Sequence, residues 1–210
     1  MEVRIYRLSE KAITISWEPK IDRDINALVL ETDRRIYSRP FIGWIENVPA
    51  YHTLTVYYDP LVAEFDPSQL LHEIAARELD ASLFKGRTLR VPVQYNGPDL
   101  LIAADKLGLP IEEVVRLHHT RSYHVYMLGF MPGFPYMGTL ADELVIPRKD
   151  IPSAKVRAGS VAIAGHQTGV YPFESPGGWY VIGHTDIPLF SEGKAYFEAG
   201  DEVEFYPVTS

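Results

Sequence analysis

The spacing of apolar residues in the first part of the chain changes twice between strand-like and helical patterns. Runs rich in β-branched and aromatic residues predict strands over 3–8, 12–17, 42–47 and 52–58. Between and after them, apolar residues recur at helical spacing. The order ββαββα, with both helices on one face of a sheet, predicts a small α/β-sandwich domain over residues 1–86.

The starts of the two helices are marked by polar caps. Asp22 precedes the first helical segment, and Asp66-Pro67 opens the second with a cap and a first-turn proline. The second helix is expected to bury one apolar face, made of Leu70, Leu71, Ile74 and Ala75. Lys85-Gly86-Arg87 then marks the boundary of this domain.

The second part of the chain, residues 87–210, begins with a predicted strand over 89–95. Helices follow from Gly97-Pro98-Asp99 to Gly108 and from Pro110 to His119, and a further strand covers 123–129. Beyond that strand, glycine and proline turns separate short strands such as 161–164 and 179–182. This density of turns is typical of a closed or sandwich-like β architecture.

Composition and charge exclude several classes of function. The 210 residues include no cysteine, so thiol nucleophiles, redox pairs and thiolate zinc sites are excluded. A net charge of −8 argues against nucleic acid as a partner, since phosphate binding needs clustered Lys and Arg. The N-terminus lacks the pattern of a signal peptide, and no run approaches the ~20 apolar residues of a membrane helix. We therefore expect a soluble, cytoplasmic protein without a membrane partner.

The common catalytic motifs are absent from the sequence. It contains no dinucleotide fingerprint, phosphate loop or His-Glu-x-x-His zinc helix, and no biotin-carrying Met-Lys-Met. The segment Ala158-Gly159-Ser160-Val161-Ala162 lacks the second glycine of a nucleophile elbow. The spacing of His118, His119 and His124 matches no metal-ligand pattern. We therefore expect neither a metal site nor a biotin site.

Two glycine-rich segments are the candidate sites. Residues 126–138 leave an apolar strand and become a loop of glycine, proline and aromatics, either a rigid corner packed in the core or a binding loop. In residues 158–172, Gly165 and Gly169 bracket His166, Gln167 and Thr168. We expect a tight turn that presents these three polar side chains together, either to a ligand or to solvent.

Two further positions carry candidate chemistry. His118 shares the apolar face of its helix, which fits a satisfied core histidine or a tuned proton-transfer group. Pro147-Arg148-Lys149 is a basic spot in an acidic protein, either an anion clamp or solvated charge.

Several ordered motifs at compatible spacing, spread over residues 88–190, are shared with a known family. They are Val91-Pro92-Val93, Gly97-Pro98-Asp99-Leu100, Leu117-His118, Gly129-Phe130-Met131-Pro132-Gly133-Phe134-Pro135-Tyr136, Pro147-Arg148, Ala158-Gly159-Ser160-Val161-Ala162-Ile163-Ala164-Gly165, Gln167-Thr168-Gly169, Tyr171-Pro172 and Ser175-Pro176-Gly177-Gly178-Trp179. The chain thereby resembles the family of the Kip-type kinase inhibitor, the 5-oxoprolinase B-subunit and allophanate hydrolase subunit 1, which corresponds to carboxyltransferase subdomains C and D.

The chain departs from the family pattern at three places. It has Ser153 and His184 where the family usually has arginine, and Arg157 where the family has proline. If those arginines contact a substrate or a partner, the specificity of this chain differs from that of its relatives.

The resemblance implies an α+β fold, with a cyclophilin-like β-barrel over residues 87–210 beside the small first domain. It also implies a subunit of an ATP-dependent hydrolase that opens the 5-oxoproline lactam to glutamate, with ATP used by the assembled complex. The implied partners are a larger homologous carboxyltransferase-type subunit and a third subunit. The isolated chain is then expected to be inactive.

Two kinds of function remain open at this point. In an enzyme subunit, Arg148 holds a carboxylate or phosphate, Gln167 and Tyr171 bind the reacting carbonyl, and His118 transfers a proton. The expected substrate-binding residues are Phe130, Phe134, Tyr136, Thr168 and Trp179. Alternatively, the same loops form a binding module that docks on a histidine kinase without chemistry, or the chain serves an allophanate hydrolase-like amidohydrolase.

Overall fold

A computed structural model describes residues 3–62, 66–76 and 86–209 of the chain. The fold is mixed α+β and consists mostly of strands. Contacts divide the chain into two compact units, Met1–Lys85 and Gly86–Ser210, called the first and second unit below. Within the described residues, no helix is long and apolar enough to cross a bilayer.

The first unit contains one antiparallel sheet with the strand order β1-β2-β4-β3. Its elements are β1 (Arg4–Ser9), β2 (Ala12–Ser16), α1 (Arg23–Ser38), β3 (Trp44–Pro49), β4 (Thr53–Tyr58) and α2 (Pro67–Ala76). All six elements, in the order ββαββα, confirm the pattern predicted from the sequence.

The core of the first unit lies between the sheet and the helices. The central strands β2 and β4 contribute Ile13, Ile15, Leu54 and Val56, which alternate along the strands and pack with the apolar face of α1. Leu71 brings α2 into the same core. The other predicted members of the α2 face have side chains outside the described residues, namely Leu70, Ile74 and Ala75.

Asp22 caps α1 as the sequence predicts. Its Oδ1 accepts hydrogen bonds from the backbone N–H groups of Asp24 at 2.9 Å and Ile25 at 3.2 Å. The bond from Ile25, followed by the contact with Lys20, lowers the pKa of this carboxyl. The charge of the cap is therefore retained at neutral pH.

Replacing this cap is expected to weaken the first unit. Asp22→Ala should lower the free energy of unfolding by about 1 kcal/mol, because two helix N–H groups lose their acceptor. Asp22→Asn is the matched control, since asparagine caps about as well, and should stay within a few tenths of a kcal/mol. Urea denaturation followed by circular dichroism measures both, and an equal loss in the two variants would contradict the capping role.

The second unit is built on a seven-stranded sheet with the order β12-β9-β10-β7-β6-β15-β5. Its strands are β5 (Thr88–Val93), β6 (Ser122–Leu128), β7 (Pro135–Gly138), β9 (Ser160–Ala164), β10 (Gln167–Val170), β12 (Tyr180–His184) and β15 (Glu202–Pro207). Short ribbons pair β8 (Ser153–Val156) with β11 (Ser175–Gly177) and β13 (Phe190–Ser191) with β14 (Lys194–Ala195). Neighbouring strands of the large sheet are antiparallel except β5 and β15, which are parallel.

This sheet curls until its two outer strands meet. Gln94, directly after β5, exchanges backbone hydrogen bonds with His184 at the end of β12, at 2.9 and 2.8 Å. The curled sheet encloses a core that includes Val91, Val125 and Ile163. The helices are α3 (Leu100–Leu107), which ends at the left-handed Gly108 as predicted, and α4 (Ile111–His119).

One local prediction for this unit is wrong. His166, Gln167 and Thr168 do not share a tight turn, because Gln167 and Thr168 already belong to strand β10. Consecutive residues of a strand point to opposite faces. Thr168 is accordingly buried in the core, whereas Gln167 is half-buried.

Candidate functional site

The aromatic loop lies between β6 and β7 and is closed by its own backbone. Gly129 donates to the carbonyl of Phe134 at 3.0 Å, and Phe134 donates to the carbonyl of Met131 at 3.1 Å. Phe130 has φ of 65°, a left-handed conformation that bulky residues rarely adopt. Phe134 is buried whereas Phe130 is 62% exposed, so the loop combines a packed corner with an accessible aromatic edge.

Five predicted aromatic residues meet in one place, called here the aromatic cluster: Phe130, Phe134, Tyr136, Tyr171 and Trp179. Phe134 lies at its centre, with ring centroids 5.7 Å from Phe130, 5.1 Å from Tyr136, 5.1 Å from Tyr171 and 5.5 Å from Trp179. All four pairs are edge-to-face, the arrangement that aromatic quadrupoles favour. The cluster packs on the outer face of β9 and β12, against Ala162, Ala164 and Val181.

The aromatic cluster lies beside a charged group, the guanidinium of Arg148, which acts on the Tyr171 hydroxyl. Burial raises the pKa of the Tyr171 hydroxyl, while a backbone hydrogen bond from Trp179 and the charge of Arg148 oppose that rise. Tyr171 is therefore a neutral hydrogen-bonding group at physiological pH. Arg148 is exposed and has no ion pair in the part of the chain that the structure describes, which leaves its guanidinium available to an anion.

Beside Arg148, Lys149 is held in a polar network that sequence reasoning missed. Its Nζ lies 2.8 Å from Asp99 Oδ2 and 2.7 Å from Ser153 Oγ. Asp99 Oδ2 also accepts the backbone N–H of Val181 at 2.9 Å. Lys149 and Asp99 are largely buried, so this pair fixes the loop before α3 against β12. The sequence shows Asp99 only as part of the motif Gly97-Pro98-Asp99-Leu100, and no spacing pattern pairs it with Lys149.

His118 lies away from the aromatic cluster, inside the curled sheet. Its Nδ1 is 2.8 Å from the Tyr95 hydroxyl and its Nε2 is 2.8 Å from Thr168 Oγ1. Because Thr168 donates to the Ala162 carbonyl at 3.1 Å, it accepts from Nε2–H, and Tyr95 donates to Nδ1. The ring is 0% exposed and stacks on Phe205 at 4.8 Å. This geometry supports the core role that the sequence left open.

The burial of His118 predicts a pH-dependent stability. Burial, with a smaller effect of His119, lowers its pKa from 6.5 to about 3. Between pH 6.5 and about 3, His118 binds a proton in the unfolded chain but not in the folded chain. The free energy of unfolding therefore decreases as the pH falls below 6.5. The loss amounts to at most about 1.4 kcal/mol per pH unit.

The test compares the wild type with His118→Gln by urea denaturation above and below pH 6.5. The variant should have a lower free energy of unfolding near neutral pH, because it loses the stacked ring. The difference in free energy of unfolding between the two proteins, the gap, should shrink on acidification, because glutamine does not titrate. A gap that stays constant with pH would show that His118 does not titrate as argued.

The structure brings together most, but not all, of the residues predicted for the site. The aromatic cluster and Arg148 share one region, whereas Thr168 and His118 lie in the interior. Gln167 is half-buried on β10, where it pairs with Gly138 and Ala164. Among the described residues, no group of three or more His, Asp or Glu side chains lies close enough to hold a metal ion.

The described residues form an α+β protein of two units. Its second unit has a curled sheet and an aromatic cluster beside the guanidinium of Arg148, unpaired among the described residues. Residues 3–197 match the family model for the carboxyltransferase domain, subdomain C and D. The chain belongs to this family.

Two relatives in this family share a name. The chain is 37% identical over 223 residues to the 5-oxoprolinase B-subunit of Bacillus subtilis (strain 168), covering 98% of this chain and 93% of that protein. It is 39% identical to the 5-oxoprolinase B-subunit of Haemophilus influenzae (strain ATCC 51907 / DSM 11121 / KW20 / Rd), covering 97% of each chain.

The fold also recurs inside a longer chain. The crystal structure of TTHA0988 superposes with a TM-score of 0.85 at 33% identity. The match covers 95% of this chain but only 40% of the TTHA0988 chain. The module described here is therefore less than half of that longer protein.

Proposed function

We propose that this chain is the B-subunit of an ATP-dependent 5-oxoprolinase. The observation that carries the proposal is its similarity, over nearly the full length of both proteins, to relatives of that name. The two units then correspond to carboxyltransferase subdomain C over residues 1–86 and subdomain D over 87–210. The joining of β5 to β12 supports a cyclophilin-like barrel for the second of these.

The proposed reaction is the opening of the 5-oxoproline lactam to glutamate. A lactam resists hydrolysis because its nitrogen shares its lone pair with the carbonyl. Transfer of the γ-phosphoryl group of ATP to the lactam oxygen, with loss of the N–H proton, leaves an imidoyl phosphate with an electrophilic carbon. Water adds to that carbon and the C–N bond breaks, which gives the free amine and an acyl phosphate. A second water hydrolyses the acyl phosphate and releases phosphate. Glutamate, ADP and phosphate are the products of the assembled complex.

In this scheme the second unit supplies binding and orientation. Arg148, exposed and without an ion pair among the described residues, contacts a carboxylate or phosphate. Gln167 and the neutral hydroxyl of Tyr171 hydrogen bond the reacting carbonyl or its neighbours. The aromatic cluster provides a rigid wall, of which Phe130 is the exposed edge.

The proposed partners are a larger homologous carboxyltransferase-type subunit and a third subunit, in the cytoplasm. The length of TTHA0988 supports the first, because its chain carries this module together with a further part that is longer than the module itself. In the present protein, a separate subunit would supply that part.

Co-expression tests this assembly. The tagged chain is purified after co-expression with a larger carboxyltransferase-type subunit and a third subunit from the same genome, and glutamate formed from 5-oxoproline and ATP is measured. We expect a stable complex that forms glutamate. A stable complex without glutamate formation, together with binding of a histidine kinase by the isolated chain, would replace the proposal with the binding-module alternative.

A further inference from the structure

A second feature of the second unit is a cleft of about 360 Å³, called here the Ser160 cleft. The loop over 96–99, strand β8 with Arg157, the first residue of β9 and the end of β12 form its walls. Its volume falls at the lower end of the range for small-molecule sites, which is roughly 300–1,000 Å³. Val156 and Val181 give it apolar wall, and Asn96, Ser160 and His184 give it hydrogen-bonding groups.

Ser160 is the most informative residue of this cleft. The residue is 5% exposed, and its backbone N–H and carbonyl both bond within the fold, to Arg157 and Tyr171. Its hydroxyl has no hydrogen bond with any described residue. Every fully inaccessible side-chain oxygen or nitrogen in the described ranges has a hydrogen-bond partner. Because the Ser160 hydroxyl has none, it is accessible, and the cleft reaches it. A nearly buried hydroxyl without a partner in the protein takes one from outside it, a water or a ligand.

His184 lies opposite Ser160 on the neighbouring strand. The two residues are register partners in the β9–β12 pair. The His184 ring is oriented by Asp186, whose Oδ1 is 3.0 Å from Nε2. It also lies against Gly159, which has φ of 80°, and a side chain at Gly159 would overlap the ring. The imidazole is therefore fixed in place at the wall of the cleft.

Among the charged groups that line the cleft, one cation has no ion-pair partner in the described part of the chain. Asp99 is paired with Lys149 at 2.8 Å, and Lys155 is paired with Glu174 at 3.0 Å. Arg157 has neither an ion pair nor a side-chain hydrogen bond with the residues that the structure describes. A single free guanidinium beside neutral donors matches a ligand with one negative charge.

We propose that the Ser160 cleft binds a small carboxylate that carries an amide, with the carboxylate on Arg157 and the amide carbonyl accepting from Ser160 Oγ. The choice of a lactam carboxylate as the amide rests on the proposed function, in which Arg148 then contacts the phosphate and Gln167 and Tyr171 contact the neighbours of the reacting carbonyl. The cleft itself is argued from its own residues.

The isolated full-length chain provides the test, by calorimetry and by NMR shifts of the His184 ring. The probes are 5-oxoproline, 2-pyrrolidinone, which lacks the carboxylate, and acetate, which lacks the lactam. We expect 5-oxoproline to bind and to shift the His184 signals. Each fragment should bind at least about tenfold more weakly, because it lacks one of the two contacts, with Arg157 or with Ser160.

Three variants locate the site. Ser160→Ala should weaken 5-oxoproline binding about five- to tenfold, as expected for one lost hydrogen bond, without loss of thermal stability. Arg157→Gln should weaken it by about tenfold or more. Arg39→Gln, which removes an exposed guanidinium of the first unit, is the matched control and should bind like the wild type.

No binding of 5-oxoproline, or equal binding in the wild type, Ser160→Ala and Arg157→Gln, overturns the proposal. The same variants in the assembled complex separate the two claims. Lactam hydrolysis that is unaffected by both substitutions overturns the cleft and leaves the proposed function standing. The opposite outcome is a wild-type complex that does not hydrolyse the lactam, while the isolated chain still binds the lactam through Ser160 and Arg157. That outcome overturns the proposed function and leaves the proposed binding site standing.

Discussion

Phe134→Ala should lower the free energy of unfolding of the chain by about 3–5 kcal/mol. The ring is 2% exposed and makes edge-to-face contacts with four other aromatic rings. Its removal leaves a cavity at the centre of the aromatic cluster, and the rigid loop limits how far the neighbours collapse into it. Urea denaturation followed by circular dichroism measures the loss.

Phe130→Ala is the matched control for this prediction. It deletes the same side chain from the same loop, but Phe130 is mostly exposed and touches the cluster only at its edge. We expect a loss of less than about 1 kcal/mol. Equal losses at the two positions would mean that Phe134 is not the centre of a packed cluster.

Arg148→Ala should lower the 5-oxoproline-dependent ATP hydrolysis of the assembled complex by about a hundredfold. A charge-assisted hydrogen bond contributes about 1.5–3 kcal/mol, and about 2.7 kcal/mol corresponds to a hundredfold in rate. Because Arg148 makes no ion pair among the described residues, the folded chain should be equally stable without it.

Two further variants control for charge and for assembly. Arg148→Lys keeps the positive charge but loses the two-pronged geometry, so an intermediate rate is expected. Arg121→Ala removes another exposed arginine of the second unit and should leave the rate unchanged. Turnover of Arg148→Ala at the wild-type rate would remove Arg148 from the site.

The secondary structure of the chain was largely predictable because local signals mark it. Asp22 begins α1 and Gly108 ends α3 as the sequence indicates, since caps and left-handed glycines act within a few residues. The parallel pairing of β5 with β15 was not predicted. Its register joins Thr88 to Glu202, and no local signal reports contacts between residues so far apart in the chain.

The candidate site was predictable only in its aromatic part. The dense loop over 126–138 indicated Phe134 and its neighbours, but the sequence did not show which ring is buried. The flanking Gly165 and Gly169 predict a turn at Thr168, whereas the turn needs only Gly165 and the strand begins at Gln167. The face of a strand depends on its register with the partner strand, which the flanking glycines do not fix.

The Ser160 cleft could not be found from spacing. Asn96, Ser160 and His184 are separated by long stretches of chain, and they meet only because β12 pairs with both β9 and the end of β5. The family pattern did single out Ser153, Arg157 and His184 as unusual residues. All three line this cleft, so the departures from the pattern are concentrated at one surface.

The central claim, that the chain is a required subunit of an ATP-dependent lactam hydrolase, is tested most directly by an omission experiment. ATP hydrolysis is measured with and without 5-oxoproline, using the chain reconstituted with its larger partner and third subunit, and each component is left out in turn. We predict 5-oxoproline-dependent hydrolysis that needs every component, including this chain. Equal hydrolysis by the mixture that lacks this chain would contradict the claim.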